Sequence, residues 1–338
     1  MIRLDTIKAF DAALDALPEP DAAAREAAAA RQAELTKPAG SVGRLGETPL
    51  FPAGGQGKPR PARDNGRAVI FAGNHGVTRH GVSAFPTDVT VQMVANFEAG
   101  GAAINQLARH AGLDLRVVAL DLDRPTADVT VQPAMTEAEC LDAMMRGAAA
   151  VDAELDLPVV GEMGIGNSTS AAALCARSFG GAVRDWVGPG TGLDAVGQAR
   201  KVAVVEQALA THADAPLTAF ETLRRLGGRE IAAIAGAVLA ARHLRVPVML
   251  DGFIASAALA PLVAQQPGIV DHCLAGHCSA EPGHRRLLER FGLAPLLQLD
   301  MRLGEGSGAA VAVSIVRAAL GAHNGMATFA EASVSGRL

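Results

Sequence analysis

The stretch Leu296-Leu-Gln-Leu-Asp-Met-Arg-Leu-Gly-Glu-Gly-Ser-Gly308 is the most informative part of this sequence. Its apolar run, Leu296–Leu299, predicts a buried strand, which ends in a glycine-rich turn. The segment that follows, Ala309–Leu320, is apolar and compatible with a helix. A single carboxylate, Glu305, lies between two glycines at the tip of the turn. Strand, loop and helix in this order predict a parallel α/β sheet, in which ligands bind at the carboxyl ends of strands.

Glu305 has two interpretations at this level. A carboxylate at a strand end that is shielded from bulk water has a raised pKa and can act as a general base. Alternatively, Glu305 only caps the helix that follows it. The local pattern favours neither interpretation over the other.

From residue 67 onwards, short apolar runs alternate with helix-compatible segments. The runs predicted as strands are Ala68–Ala72, Leu115–Leu120, Leu157–Val160, Trp186–Val187, Val246–Leu250, Ile269–Cys273 and Leu296–Leu299. The segments predicted as helices include Asp88–His110, Glu137–Leu155, Asp194–Ala210, Arg229–His243 and His284–Phe291. Apolar runs of this length are typical of strands buried on both faces of a parallel sheet. We therefore predict a doubly wound α/β domain, with a mainly parallel sheet flanked by helices, over residues 67–338.

The first 66 residues have a different pattern and predict a smaller helical part. Asp21–Lys37 is rich in Ala, Glu, Arg and Gln and predicts a helix that Pro38 stops. Residues 49–66 are rich in Pro, Gly, Lys and Arg, and they predict an exposed or partly disordered loop.

Composition excludes several classes of function. The 338 residues carry a net charge of -5, and only 3% are aromatic with no Tyr, which argues against a nucleic-acid partner. We expect no signal peptide and no membrane span, because the first residues are not a basic segment followed by an apolar one and no apolar run reaches membrane-spanning length. Four scattered cysteines form no disulfide framework, so we expect a cytoplasmic protein.

Six small polar motifs follow six of the predicted strands. They are Gly73-Asn-His-Gly, Gly161-Glu-Met-Gly-Ile-Gly-Asn-Ser-Thr, Gly188-Pro-Gly-Thr-Gly-Leu-Asp, Asp251-Gly-Phe, Gly276-His-Cys-Ser-Ala-Glu and the Glu305 turn. In a parallel sheet all six would meet at one edge. The sequence therefore predicts an active site there.

Two of these motifs, Gly161–Thr169 and Gly188–Asp194, are rich in backbone N–H groups at predicted helix starts. Such groups suit a phosphate. The alternative interpretation is that Gly164, Gly166, Asn167, Ser168 and Thr169 only form a helix N-cap, but a helix start needs one capping residue, so we favour phosphate binding. The spacing is neither G-x-G-x-x-G nor a Walker A loop, which disfavours a dinucleotide or a nucleoside triphosphate. Lys201 follows the second motif, where a solvent-exposed helix face is the alternative interpretation.

Metal binding is disfavoured. His272-Cys-Leu-Ala-Gly-His-Cys278 places two His-Cys pairs close together, but Cys140 and Cys175 supply no second pair with zinc-ligand spacing. We therefore expect no metal site.

Taken together, the motifs resemble those of the nicotinate-nucleotide:dimethylbenzimidazole phosphoribosyltransferase family. The matching runs, in family order, are KPAGSVGRL, FAGNHGV, HGVSAFPTDVTVQMV, GEMGIGNSTSAAA, GPGTGLD, GGREIAAIAGA, LDGFIASAA, GHCSAEPGH and LDMRLGEGSGAA, between residues 37 and 310. The resemblance implies transfer of the 5-phosphoribosyl group of nicotinate mononucleotide to 5,6-dimethylbenzimidazole, in assembly of the cobalamin nucleotide loop. It also implies a homodimer that needs no cofactor.

The resemblance assigns roles to residues of this chain. Glu305 is expected to be the general base. The nucleotide and its phosphate are expected to contact Glu162, Gly166, Asn167, Ser168, Thr169, Gly190, Gly192, Lys201 and Ser279. The benzimidazole is expected to contact Ser83, Gln92, Met163 and Leu303.

Two departures from the family pattern and three alternatives remain at this level. The run beginning at Gly46 replaces a helix of mixed polarity, and Phe85 stands where the family often has Tyr, which could change the base preference. The alternatives are the same chemistry on another lower-ligand base, a non-catalytic nucleotide-binding homologue, and a nicotinamide-dependent oxidoreductase. The missing dinucleotide fingerprint disfavours the last of these.

Overall fold

The computed structural model describes residues 2–335. It contains five strands: β1 (Gly66–Ala72), β2 (Asp114–Ala119), β3 (Leu157–Met163), β4 (Val248–Leu250) and β5 (Cys273–Ala275). The helices are α1 (Ile7–Asp15), α2 (Ala22–Glu34), α3 (Arg44–Glu47), α4 (Leu50–Gln56), α5 (Asp88–Ala99), α6 (Ala103–Ala111), α7 (Glu137–Ala148), α8 (Asn167–Phe179), α9 (Ala195–Thr211), α10 (Ala219–Leu226), α11 (Arg229–Leu244), α12 (Phe253–Ala257), α13 (Ala260–Gln265), α14 (Pro282–Phe291) and α15 (Ser307–Gly325).

The strands form one parallel sheet in the order β2-β1-β3-β4-β5. The chain runs outward from β1 to β2 and then crosses to β3 on the other side of β1. This reversal makes the β1–β3 pair the switch point of the sheet, next to which open α/β sheets bind ligands. The predicted fold class is therefore confirmed.

The sheet is covered on both faces, because most strand residues and their covering helices are apolar. One core cluster joins Val69 and Val160 of the sheet to helices that include α7, α8 and α11. A second cluster joins Ile70 and Val159 to α6 and α15. Helix α11 is buried over 14 of its 16 residues, and its Gly236 lets the backbone of α7 approach closely.

Two predicted strands are wrong. Trp186–Val187 is buried but follows a short 3-10 turn, Val183–Asp185, and does not join the sheet. Leu296–Leu299 makes only an isolated parallel bridge, between Leu297 and His277 beside β5. Both runs are apolar because they pack against the core, and burial alone does not distinguish such segments from strands.

Other boundaries also differ from the prediction. Ile269 and Val270 lie in a 3-10 turn, so β5 begins only at Cys273. The helix predicted over Asp88–His110 is two helices, because Gly100 adopts a left-handed conformation (φ 81°) after α5.

Residues 49–66 contain helix α4 rather than only the predicted loop. Pro52, Ala53 and Gly54 are buried, and α4 packs against α2. The helix forms because tertiary contacts outweigh its low intrinsic propensity. The division of the chain into two parts at residue 66 remains a prediction. Residues 1 and 336–338, at the ends of the two predicted parts, lie outside the described residues.

Candidate active site

A cavity of about 410 Å³ opens at the carboxyl edge of the sheet, beside the end of β3. Its apolar lining comprises Phe85, Val89, Met93, Met163, Ile165, Ile254 and Leu303. Its polar lining comprises Glu162, Asn167, Ser168, Thr191, Glu281, Arg302 and Glu305, together with the backbone at Gly164, Gly190 and Gly304. A volume of this order and a lining that is partly apolar and partly polar suit an organic ligand held by a few polar groups.

Four of the six polar motifs supply residues that line this cavity: those at Gly161, Gly188, Gly276 and Glu305. Only four of the six motifs follow strands of the sheet. The Gly188 loop and the Glu305 turn reach the same edge without a preceding strand. Hydrogen bonds place the second of them: Leu296 N donates to Ala275 O (2.9 Å), and Ala280 N donates to Met301 O (2.9 Å). The chain before Glu305 thus runs beside β5 and the loop after it.

Glu305 adopts a strained backbone conformation within this turn. Its φ is 63°, and Gly304 (82°) and Gly306 (79°) flank it in the same left-handed region. A non-glycine residue in that region costs of order 1–3 kcal/mol, and such strain is concentrated at functional sites. Gly161 of β3 lets the turn approach, since a Cβ at that position would lie 2.5 Å from Gly306 N.

The Glu305 side chain is 5% exposed and lines the cavity. One carboxylate oxygen, Oε2, has no hydrogen-bond partner among the described residues. Burial raises the pKa of Glu305, the nearby Ile104 backbone N–H partly opposes that rise, and the charge of Asp251 adds to it. A buried carboxylate with a raised pKa and an unpartnered oxygen has the properties of a general base.

The alternative interpretation, that Glu305 only caps α15, is not what the structure shows. Asp251, which follows β4, accepts hydrogen bonds from Gly306 N (3.1 Å) and Ala309 N (2.9 Å). The cap of α15 is therefore supplied by a residue far away in sequence, and the Glu305 carboxylate remains free of that role.

Glu162 is the second carboxylate at the end of β3. Its pKa is raised to about 8: burial is the main cause, the charges of Glu230, Asp251 and Glu305 add to the rise, and a hydrogen bond from Asn167 partly opposes it. Asn167 Nδ2 donates to Glu162 Oε2. Glu162 therefore binds a proton more readily than an ordinary glutamate and can act as a hydrogen-bond donor near neutral pH.

Lys201 is fully buried behind the cavity wall rather than on a solvent-exposed helix face. Its Nζ donates to Ser168 Oγ (2.8 Å) and to Gly188 O (3.2 Å). Burial lowers the pKa of Lys201 to about 8, and the charge of Glu281 partly opposes that shift. A buried ammonium beneath two glycine-containing loops places positive charge where an anionic ligand would lie.

The predicted site residues divide into those that line the cavity and those that do not. Glu305, Glu162, Asn167, Ser168, Gly190, Met163 and Leu303 line it. The lining does not include Gly166, Thr169, Gly192, Lys201, Ser279, Ser83 or Gln92. Ser83 is nevertheless joined to the lining residue Thr191, since their hydroxyl oxygens are 3.0 Å apart. Gln92 is exposed on α5 beside the lining residues Val89 and Met93.

Three polar lining residues, Thr191, Glu281 and Arg302, were not predicted from the sequence. Glu281 is 5% exposed, and its Oε1 accepts a hydrogen bond from Gly190 N (2.9 Å). Arg302 Nη1 donates to Gly190 O (3.0 Å). All three lie within motifs already singled out, so their position in those motifs was the available signal. No group of three or more His, Cys, Asp or Glu among residues 2–335 is arranged to hold a metal ion.

A parallel α/β sheet with a carboxylate-bearing cavity beside glycine-rich loops is typical of enzymes that act on nucleotide-sized substrates. The chain matches the phosphoribosyltransferase family over residues 17–334. It belongs to this family, and it is therefore an enzyme of the pentosyl-transferring class.

Individual relatives support this assignment. The nicotinate-nucleotide–dimethylbenzimidazole phosphoribosyltransferase of Novosphingobium aromaticivorans is 69% identical, with 99% of each chain covered. The protein of the same name from Rhodobacter capsulatus is 56% identical over 99% of this chain and 100% of its own length. The crystal structure of CobT from Thermus thermophilus superposes with a TM-score of 0.88 at 40% identity, covering 93% of this chain and 100% of that chain.

Proposed function

We propose that the protein transfers the 5-phosphoribosyl group of nicotinate mononucleotide to 5,6-dimethylbenzimidazole, which gives α-ribazole 5′-phosphate and nicotinate. The observation that carries this proposal is the single buried carboxylate, Glu305, with a free oxygen in a cavity that has both apolar and polar walls. The identities of 69% and 56% to enzymes of that name support the choice of substrates.

The reaction needs one base and no general acid. A benzimidazole nitrogen attacks the anomeric carbon, and the bond from that carbon to the pyridinium nitrogen breaks. The nicotinate ring leaves with the bonding electron pair, so its nitrogen needs no proton. Glu305 takes the proton from the other benzimidazole nitrogen. Attack opposite the leaving group inverts the β-linked donor to the α-product, through an oxocarbenium-like transition state.

Substrate positions follow from the chemistry of the walls. The flat acceptor suits the apolar wall that includes Phe85, Met163 and Leu303. The phosphoribosyl group suits the polar wall that includes Ser168 and Gly190, behind which Lys201 supplies positive charge. Holding both substrates in reacting geometry is the remaining part of the rate enhancement, because it avoids the entropic cost of bringing them together.

Product analysis tests the function directly. The purified protein is incubated with nicotinate mononucleotide alone, with the benzimidazole alone, and with both. Chromatography and mass spectrometry should detect free nicotinate and α-ribazole 5′-phosphate in equal amounts only when both substrates are present. Binding without products would instead support a non-catalytic nucleotide-binding protein. An absorbance change with NAD alone would support an oxidoreductase.

Acceptor choice is expected to depend on Ser83 and Gln92. Ser83 holds Thr191 at the cavity wall, and Gln92 lies on the helix that supplies Val89 and Met93. Ser83→Ala and Gln92→Ala should change the product ratio when dimethylbenzimidazole and adenine compete, while the affinity for nicotinate mononucleotide stays near the wild-type value. Gln207→Ala, on the exposed face of α9, is the control. An unchanged ratio in both variants would remove these two residues from the acceptor site.

The proposal includes a homodimeric assembly, which the resemblance to the family implies, and a cytoplasmic location, which the few scattered cysteines favour. Within residues 2–335, no helix is long and apolar enough to cross a membrane. Light scattering of the purified protein should give twice the chain mass of 34.5 kDa.

A further inference from the structure

The turn that carries Glu305 needs support from outside its own sequence. Three consecutive residues, Gly304 to Gly306, have left-handed backbone conformations, and the middle one is not a glycine. Within the turn, Ser307 closes two hydrogen bonds, from its N (3.0 Å) and its Oγ (2.7 Å), both to Gly304 O. A strained conformation of this kind persists only where surrounding contacts determine it.

Asp251 supplies contacts of this kind on the α15 side of the turn. It is 1% exposed at the end of β4, and both carboxylate oxygens are used: Oδ2 accepts from Gly306 N (3.1 Å) and Oδ1 from Ala309 N (2.9 Å). One of these donors directly follows Glu305, and the other lies in the first turn of α15. The carboxylate also lies at the positive end of the α15 dipole.

We propose that Asp251 is the positioning residue of this enzyme: it fixes the Glu305 backbone so that the Glu305 carboxylate points into the cavity. This inference rests on the proposed function, in which Glu305 is the base. Asp251 does not line the cavity, so it acts through Glu305 rather than on the substrate.

The charge of Asp251 gives this role a second, measurable consequence. The groups around Glu305 are Asp251 after β4, Glu162 on β3, Arg302 on its own loop and the Ile104 N–H on α6. Behind them, His277 Nε2 lies 3.5 Å from Asp251 Oδ1. The charge of the Glu230 carboxylate raises the pKa of Glu162. The negative charge of Asp251 raises the pKa of Glu305, so its removal should lower that pKa.

Asp251→Asn tests both consequences. An amide oxygen can accept one of the two N–H groups, but its NH₂ group cannot accept the other. We expect kcat to fall by about 10- to 100-fold, since small misplacements of a catalytic group have effects of this size. KM for nicotinate mononucleotide should remain near the wild-type value, and the acid limb of the pH–kcat profile should move to lower pH.

Asp21→Asn is the matched control, because Asp21 Oδ1 caps α2 by accepting from Ala24 N (2.9 Å) far from the cavity. It removes the charge of a capping carboxylate by the same substitution, but one amide oxygen still suffices for its single N–H partner, so kcat and the pH profile should remain unchanged. If Asp251→Asn lowers kcat only in proportion to its folded fraction, or leaves the acid limb unmoved, the inference is overturned.

Asp251→Glu decides the question if the asparagine variant does not fold. It keeps the charge but shifts the carboxylate by one methylene group, so kcat should fall while the acid limb stays in place. Wild-type kcat in this variant would overturn the inference. A ¹³C NMR titration of the Glu305 carboxyl group reports its pKa without turnover, so this test stands even if the wild-type protein releases no nicotinate. If the wild-type protein released no nicotinate, only the proposed function would be refuted.

Discussion

Glu305→Gln is expected to retain the fold and substrate binding and to lose about 10²- to 10⁴-fold in kcat, the range that general-base catalysis typically supplies. The amide has nearly the same size and the same backbone strain as the carboxylate, but it cannot take a proton at neutral pH. The variant therefore removes the base without emptying the cavity. The measurement is steady-state release of nicotinate in the presence of both substrates.

The pH profile adds a second criterion to this test. Burial and Asp251 raise the pKa of Glu305 above the ordinary glutamate value of 4.5. A base works only when deprotonated, so wild-type kcat should fall as the pH drops through that raised pKa, and the limb should vanish in Glu305→Gln. Glu206→Gln, an exposed glutamate on α9, should behave as wild type. Near wild-type turnover in Glu305→Gln would exclude Glu305 as the base and make Glu162 the next candidate for that role.

Removal of the Lys201 charge is expected to weaken binding of nicotinate mononucleotide by about 10- to 100-fold, since a hydrogen bond to a charged group contributes about 1.5–3 kcal/mol. Binding of the unphosphorylated nucleoside should change little. Because Lys201 is fully buried, Lys201→Ala also creates a void, and Lys201→Met retains most of the volume without the charge. The test is calorimetric titration of both variants with both ligands.

The pKa of Lys201, about 8, gives this prediction a direction in pH. The ammonium is charged below that value, so the affinity of the wild-type protein for the nucleotide should fall as the pH rises through it. Lys201→Met should lack that dependence. Equal losses of affinity for nucleotide and nucleoside would show that Lys201 supports the structure of the cavity wall and does not bind the phosphate.

Much of the fold could be predicted from the sequence because its signals are local. The runs Ala68–Ala72 and Leu157–Val160 are continuous apolar stretches between helices, and both are central strands. The glycine-rich segments that follow β3 and that surround Glu305 could be recognised as loops for the same reason. Their meeting at one sheet edge followed from the parallel arrangement that the alternation of elements implies.

Other features depend on contacts between residues that are distant in the sequence, so local patterns could not predict them. Trp186–Val187 and Leu296–Leu299 are as apolar as strands, but they pack beside the sheet instead of extending it. Helix α4 forms despite its proline and two glycines because α2 packs against it.

The same distinction holds within the candidate site. Local sequence signals were enough to place Glu305 at the tip of a glycine turn, Glu162 after an apolar run and Lys201 after a glycine loop. They could not determine that Asp251, rather than Glu305, caps α15, or that Glu281 and Arg302 hold Gly190. Periodicity and turn chemistry act over a few residues, whereas burial, pKa and hydrogen-bond partners depend on groups that only the folded chain brings together.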